Sequence, residues 1–126
     1  MVDIGKQIAH WRFGAKEDWE VACQLLDSGR IRHSLFFAHL TLEKTLKGLY
    51  CQTNNDLAPS IHNLLRLAEG AHLSLTDNQR NLLAEVNSYN IEGRYPELLL
   101  PQVAAAEAKA CLTRIERLLT CLNQQF

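Results

Sequence analysis

Along all 126 residues the apolar side chains recur at steps of three and four, and no stretch alternates apolar with polar as a half-buried strand does. A chain with that period buries its apolar faces by packing helix on helix. A first helix is expected roughly from Gln7 to Leu26, with Trp11, Ala15, Trp19, Ala22 and Leu26 on one stripe. "DSGR" (Asp27 to Arg30) breaks it, and Gly29 suits a C-terminal cap. A second helix is expected from Ile31 to Thr53, its core face marked by Ile31, Leu35, Ala38, Leu42, Thr45 and Leu49. "NNDLAPS" then reads as a loop, because Asn and Asp favour turns and Pro59 disfavours helix at Ala58.

A third helix is expected to start near Ser60, to hold Ile61, Leu64, Leu65 and Ala68, and to end at Gly70. Thr76 and Gln79 have the spacing of a capping box and open a fourth, which carries Leu82, Leu83 and Val86 toward Asn90. "EGRYPE" (Glu92 to Glu97) should interrupt it, since Gly93 is a weak helix former and Pro96 constrains its neighbour. The last helix is expected from near Pro101 to about Asn123, with Ala104, Ala108, Cys111, Ile115, Leu118 and Leu122 as its seam. The sum is an all-α fold: an up-and-down bundle of four to five helices, in one domain over residues 1–126.

Composition narrows the function classes. With 47% hydrophobic and 21% charged residues the chain reads as an ordinary globular domain. A formal net charge of -1 supplies no global basic field for nucleic acid. Cys23, Cys51, Cys111 and Cys121 form no CxxC pair and no zinc-finger spacing with histidine, so they read as reduced thiols within helices and no metal is called for. Asp3, Lys6 and Arg12 interrupt any N-terminal signal core, and no apolar run approaches the ~20 residues that span a bilayer. A cytoplasmic protein without membrane contact is expected.

The centre of the second helix, "AHLTLEKTLKGLY", sets Glu43, Lys44 and Lys47 within an apolar run. Two readings stand. Glu43 and Lys47, spaced i,i+4 with the acid first, make a self-paired solvated face. Alternatively, Lys44 and Lys47 are neighbouring cations lining a groove that takes phosphate.

"LFFAHLTLEKTLKGLY", then "PSIHNLLRL", then "IEGRYPE" resemble, in that order, the HEPN domain (higher eukaryotes and prokaryotes nucleotide-binding). With the first helix the resemblance covers nearly the whole chain. It implies an up-and-down four-helix bundle with a short extra helix, commonly a homodimer. It also implies a minimal nucleotidyltransferase as protein partner, in a toxin–antitoxin-like pair. Some members of the family are metal-independent ribonucleases that use an arginine and a histidine four to six residues apart, early in the last core helix. Here every histidine lies at or before His72, so that pair is absent after Arg94. Arg66 and His72 have five residues between them but lie one helix too early, with Gly70 between. A nucleotide-binding or interaction module is therefore expected, with no catalytic residue and no cofactor. ATP or GTP is the candidate ligand, and RNA cleavage the less favoured alternative.

Candidate ligand residues follow from chemistry. His62, expected in the first turn of a helix, and Asn63 beside it would meet an anion where backbone N–H groups point outward. Arg94 could clamp phosphate bidentately and Tyr95 could stack on a base. With Lys44 and Lys47 these make the expected site. Each has a structural alternative: His62 or Asn63 capping the helix, Tyr95 anchoring a turn, and Arg94 forming an ion pair with Glu97 or with Glu43; a buried Glu43–Arg94 pair would make Glu43 structural and leave Lys44 and Lys47 for the ligand. Trp11 and Trp19 read as core or dimer contacts, and the Ala-rich "VAAAEAKA" as a close-packing face.

Overall fold

The computed structural model describes residues 2–94 and 103–126. Five helices lie among them: α1 (Ile4–Asp27), α2 (Ile31–Asn54), α3 (Leu64–Gly70), α4 (Asp77–Arg94) and α5 (Ala105–Asn123). The fold is all-α, an up-and-down bundle of four long helices with the short α3 set between α2 and α4. No strand occurs among the described residues.

Local chemistry explains most of the ends. Asp3 caps α1, its carboxylate accepting the Lys6 N–H at 3.2 Å. Gly29 takes φ +79 just past the C-terminus of α1. There Arg30 N–H reaches Leu25 O at 2.8 Å and Gly29 N–H reaches Leu26 O at 3.0 Å, which closes a Schellman turn. Thr76 and Gln79 form the reciprocal capping box at α4, with bonds of 2.9 and 3.1 Å.

Other boundaries depart from expectation. α3 begins at Leu64, four residues late, because Asn63 is its cap and residues 60–63 are non-helical. Its end falls at Gly70, as expected. Gly70 is the last helical residue rather than the left-handed one, and His72 takes the left-handed position at φ 55. Leu73 N–H reaches Ala68 O at 3.2 Å and His72 N–H reaches Glu69 O at 3.0 Å, the same closing pattern as after α1. Gly70 serves close approach instead: a Cβ there would lie 2.7 Å from Cε2 of Tyr50. α4 continues through Gly93 to Arg94, past the start of the expected break. α5 starts at Ala105 with Ala104 as cap, so exposed Ala104 is not part of its seam. Pro101, Pro96 and Glu97 lie outside the described residues.

The core surrounds α2. Its Leu35, Ala38, Leu42, Leu46 and Leu49 are all within 1% of full burial and meet Leu83 and Val86 of α4 and Ile115 and Leu122 of α5 in one cluster. α1 lies along α2, and α3, α4 and α5 contact it as well. A helix so enclosed must satisfy its polar side chains internally. Among the described residues, all of the buried polar side chains except Asp18 lie on α2: Ser34, His39, Thr41, Glu43, Thr45 and Lys47. Among the described residues no helix is long and apolar enough to cross a membrane.

Candidate functional site

Glu43 lies at the middle of α2, its side chain only 7% exposed. Its Oε2 accepts from Lys47 Nζ at 3.1 Å, one turn along. Its Oε1 accepts from His62 Nδ1 at 3.0 Å. A carboxylate only accepts here, so Nδ1 of His62 carries the proton. One turn before Glu43, fully buried His39 donates through Nε2 to the His62 carbonyl at 3.1 Å, because a carbonyl oxygen offers no proton. His39 Nδ1 is 3.8 Å from Glu43 Oε1. The Lys47 ammonium also stands 5.2 Å from the ring centroid of Trp11 on α1, within cation–π range. Residue 62 is therefore held to α2 by both its side chain and its backbone, while half of its imidazole remains exposed.

Lys44 departs from this group. Its Nζ is 2.7 Å from Asp18 Oδ2 on α1, and its stem lies against Gly14, where a Cβ would meet Lys44 Cδ at 3.1 Å. Lys44 and Lys47 thus serve different carboxylates and do not line one groove. Glu43 and Lys47 are paired, but on an enclosed helix rather than a solvated one; the sequence predicts burial only of Glu43, and only in a pair with Arg94.

Asn63 is occupied as a cap. Its Oδ1 accepts from Leu65 N at 3.0 Å and Arg66 N at 3.2 Å, while Asn87 Oδ1 takes the Leu64 N–H at 2.9 Å. The N–H groups that would greet an anion at α3 are filled by side chains, and His62 precedes the cap instead of standing in the first turn. Arg66 and His72 are both exposed, on either side of the α3 end. Arg94 is the last residue of α4. Its side chain and all of Tyr95 lie outside the described residues, and so does the expected Glu43–Arg94 pair.

Two features escaped the sequence. One is His39, whose buried ring ties residue 62 to α2. The other is an open groove of ≈ 720 Å³ walled by α1 and α5 and floored by α2. Arg12, Phe13 and Lys16 line one wall and Glu116 the other, with Thr41 and Thr45 at the base. The available signal was Phe13, an aromatic residue off the apolar stripe of α1, which is 65% exposed. Elsewhere, burial pushes the Tyr89 phenol and the Cys111 thiol above their ordinary ranges, and the Glu85 carboxylate adds to both. Among the described residues no cluster of His, Cys, Asp or Glu is arranged to hold a metal ion.

A family model described as the HEPN domain matches residues 8–125. Among solved structures, the crystal structure of TT1696 from Thermus thermophilus is similar, with a TM-score of 0.78 over 95% of this chain and 98% of that one. At 22% identity that likeness speaks to fold alone. No curated protein matches.

Proposed function

The chain belongs to the HEPN domain family, and from that premise we propose that it works as a binding module rather than as an enzyme. In this reading it is a homodimer that joins a nucleotidyltransferase in a toxin–antitoxin-like pair and takes a nucleotide, ATP or GTP. The supporting observation is how the ionisable groups of α2 are used: Lys44 answers Asp18, while Lys47 and His62 both answer Glu43. General acid–base work needs a group with an edge free for substrate. Glu43, Lys44 and Lys47 are used in such pairs and hold helices in place, whereas the half-exposed imidazole of His62 keeps an edge for a ligand. The ribonuclease alternative lacks its last-helix pair, since no histidine follows Arg94.

Within this proposal the nucleotide edge is His62, with Arg94 as phosphate clamp and Tyr95 as stacking surface. Lys44, Lys47 and Asn63 contribute by holding the frame on which that edge is carried.

Tagged purification from the native cell, with mass spectrometry of what co-elutes, tests the partner. A stoichiometric nucleotidyltransferase is expected; a clean preparation without one overturns that part. ATP or GTP should raise the melting temperature at concentrations above Kd. The shift should shrink in Arg94→Ala and in His62→Ala, and equal shifts in both variants would remove these residues from the site.

A further inference from the structure

The groove between α1 and α5 has a specific chemistry. Thr41 Oγ1 donates to Phe37 O at 3.0 Å and Thr45 Oγ1 donates to Thr41 O at 2.8 Å. Both hydroxyls are spent on their own helix, so the floor offers few polar groups to a ligand. Arg12 is also engaged, its guanidinium 4.3 Å from the ring centroid of Phe126. A phosphorylated small molecule needs convergent donors, and of the other polar side chains lining the groove Thr120 and Asn123 are also bonded to their own helix, at 3.0 and 2.9 Å.

What it presents is a weakly polar trough between walls of unlike charge. Lys16 stands on the α1 wall and Glu116 on the α5 wall. Neither has an ion-pair partner among the described residues. Phe13, on the same wall as Lys16, is 65% exposed, and an aromatic ring left in water forgoes the free energy its burial would release. A protruding ring, an apolar trough and two opposite charges on one face are together self-complementary. A two-fold axis would satisfy all of them at once, since each contact made by one copy is made again by the other.

We propose that the occupant of the α1/α2/α5 groove is a second copy of this chain. Phe13 of each protomer seats over the Thr41 and Thr45 floor of its partner, and Lys16 of each faces Glu116 across the axis. The inference rests on the homodimer reading above and assigns its surface. The charge arrangement sets the register: Lys16 against Lys16 would repel, whereas Lys16 against Glu116 attracts.

Sedimentation velocity across a dilution series, with native mass spectrometry, tests the assignment. The full chain should be a dimer. Phe13→Asp, at an exposed position, should keep the helical circular dichroism of the wild type and raise the dimer Kd by about 30-fold or more, as loss of a central aromatic anchor does. Lys16→Glu and Glu116→Lys should each weaken the dimer, and the double reversal should recover most of the loss. A wild-type monomer at every concentration overturns both the homodimer reading and this surface. A dimer indifferent to all three substitutions overturns the surface and leaves the homodimer standing. A dimer unchanged by Phe13→Asp, together with an ATP-induced melting shift that this variant loses, overturns the proposal in favour of a small ligand in the groove.

Discussion

Glu43 carries more of the local structure than any other charged residue described. Its carboxylate, 7% exposed, answers Lys47 and His62 at once. Removing it leaves the Lys47 ammonium, 8% exposed, without its counter-charge. Loss of one partner from a buried pair costs about 3–5 kcal/mol. Glu43→Ala should therefore lower the urea midpoint steeply. Lys47→Met should cost less, since Glu43 then keeps His62. The double variant Glu43→Leu/Lys47→Met should be milder than Glu43→Ala alone, and a double variant worse than Glu43→Ala would sink this account. The sequence allows a buried Glu43 only through a pair with Arg94, and does not foretell the burial of Lys47 beside it. Charge in an amphipathic helix normally marks the solvent face, and only the helices around α2 reverse that rule. Tyr89 gives a second test at this scale. Burial, reinforced by the Cys111 thiol and the Glu85 carboxylate, pushes its phenol above the ordinary range. The folded state thus favours the neutral form, and the unfolded chain ionises first. The contribution of Tyr89 to stability should be flat below about pH 10 and fall above it, by up to about 1.4 kcal/mol per pH unit. Alkaline unfolding followed at 295 nm should shift to higher pH in Tyr89→Phe.

Helix ends divide by where their cause lies. Gly29 and the Thr76–Gln79 box act within one turn of the end they make, and both were legible in the sequence. At α3 the sequence offered Asn63 as one possible cap and Gly70 as the end, and both hold, but distant groups shape these ends in ways it did not show. Asn87 on α4 takes the Leu64 N–H and leaves Asn63 as cap. At the other end the Tyr50 ring on α2 needs a residue without Cβ at position 70. Glycine is spent on that approach, and His72 accepts the left-handed backbone. Two effects oppose each other in Gly70→Ala. Alanine gains up to about 1 kcal/mol of helix propensity. A methyl 2.7 Å from the Tyr50 ring is an overlap, and overpacking typically costs about 1–3 kcal/mol. Net destabilisation is expected, and Tyr50→Leu in the same chain should return part of it. A stabilised Gly70→Ala would show that the ring moves freely. The candidate site divides in the same way. His62 and Lys47 were legible as polar residues near one another, while His39 was read only as one histidine among five.

At the scale of the whole molecule, α2 joins every other helix to one core, and this decides whether the bundle opens in parts. Cys51 of α2 and Cys111 of α5 are buried on opposite members of that core, Cys121 of α5 is exposed, and all are free thiols. Burial raises both buried thiols above their usual range, so little thiolate is present in the folded state. Cys121 should therefore react quickly with a disulfide reagent at pH 8, while Cys51 and Cys111 wait for opening. α5 places Ala108, Ile115, Leu118 and Leu122 in the same apolar cluster as Leu42 and Leu49 of α2. Detaching α5 alone would expose the face of α2 that it covers, so local release gains little over global unfolding. The two buried thiols should then be labelled at rates with the same dependence on urea, extrapolating to one opening free energy. If Cys111 reacts with a shallower urea slope than Cys51, α5 separates as its own unit. Since Glu116 lies on α5, such release would dismantle the α1/α5 groove while α1 and α2 stayed folded. A common slope would mean instead that the groove persists for as long as the bundle does.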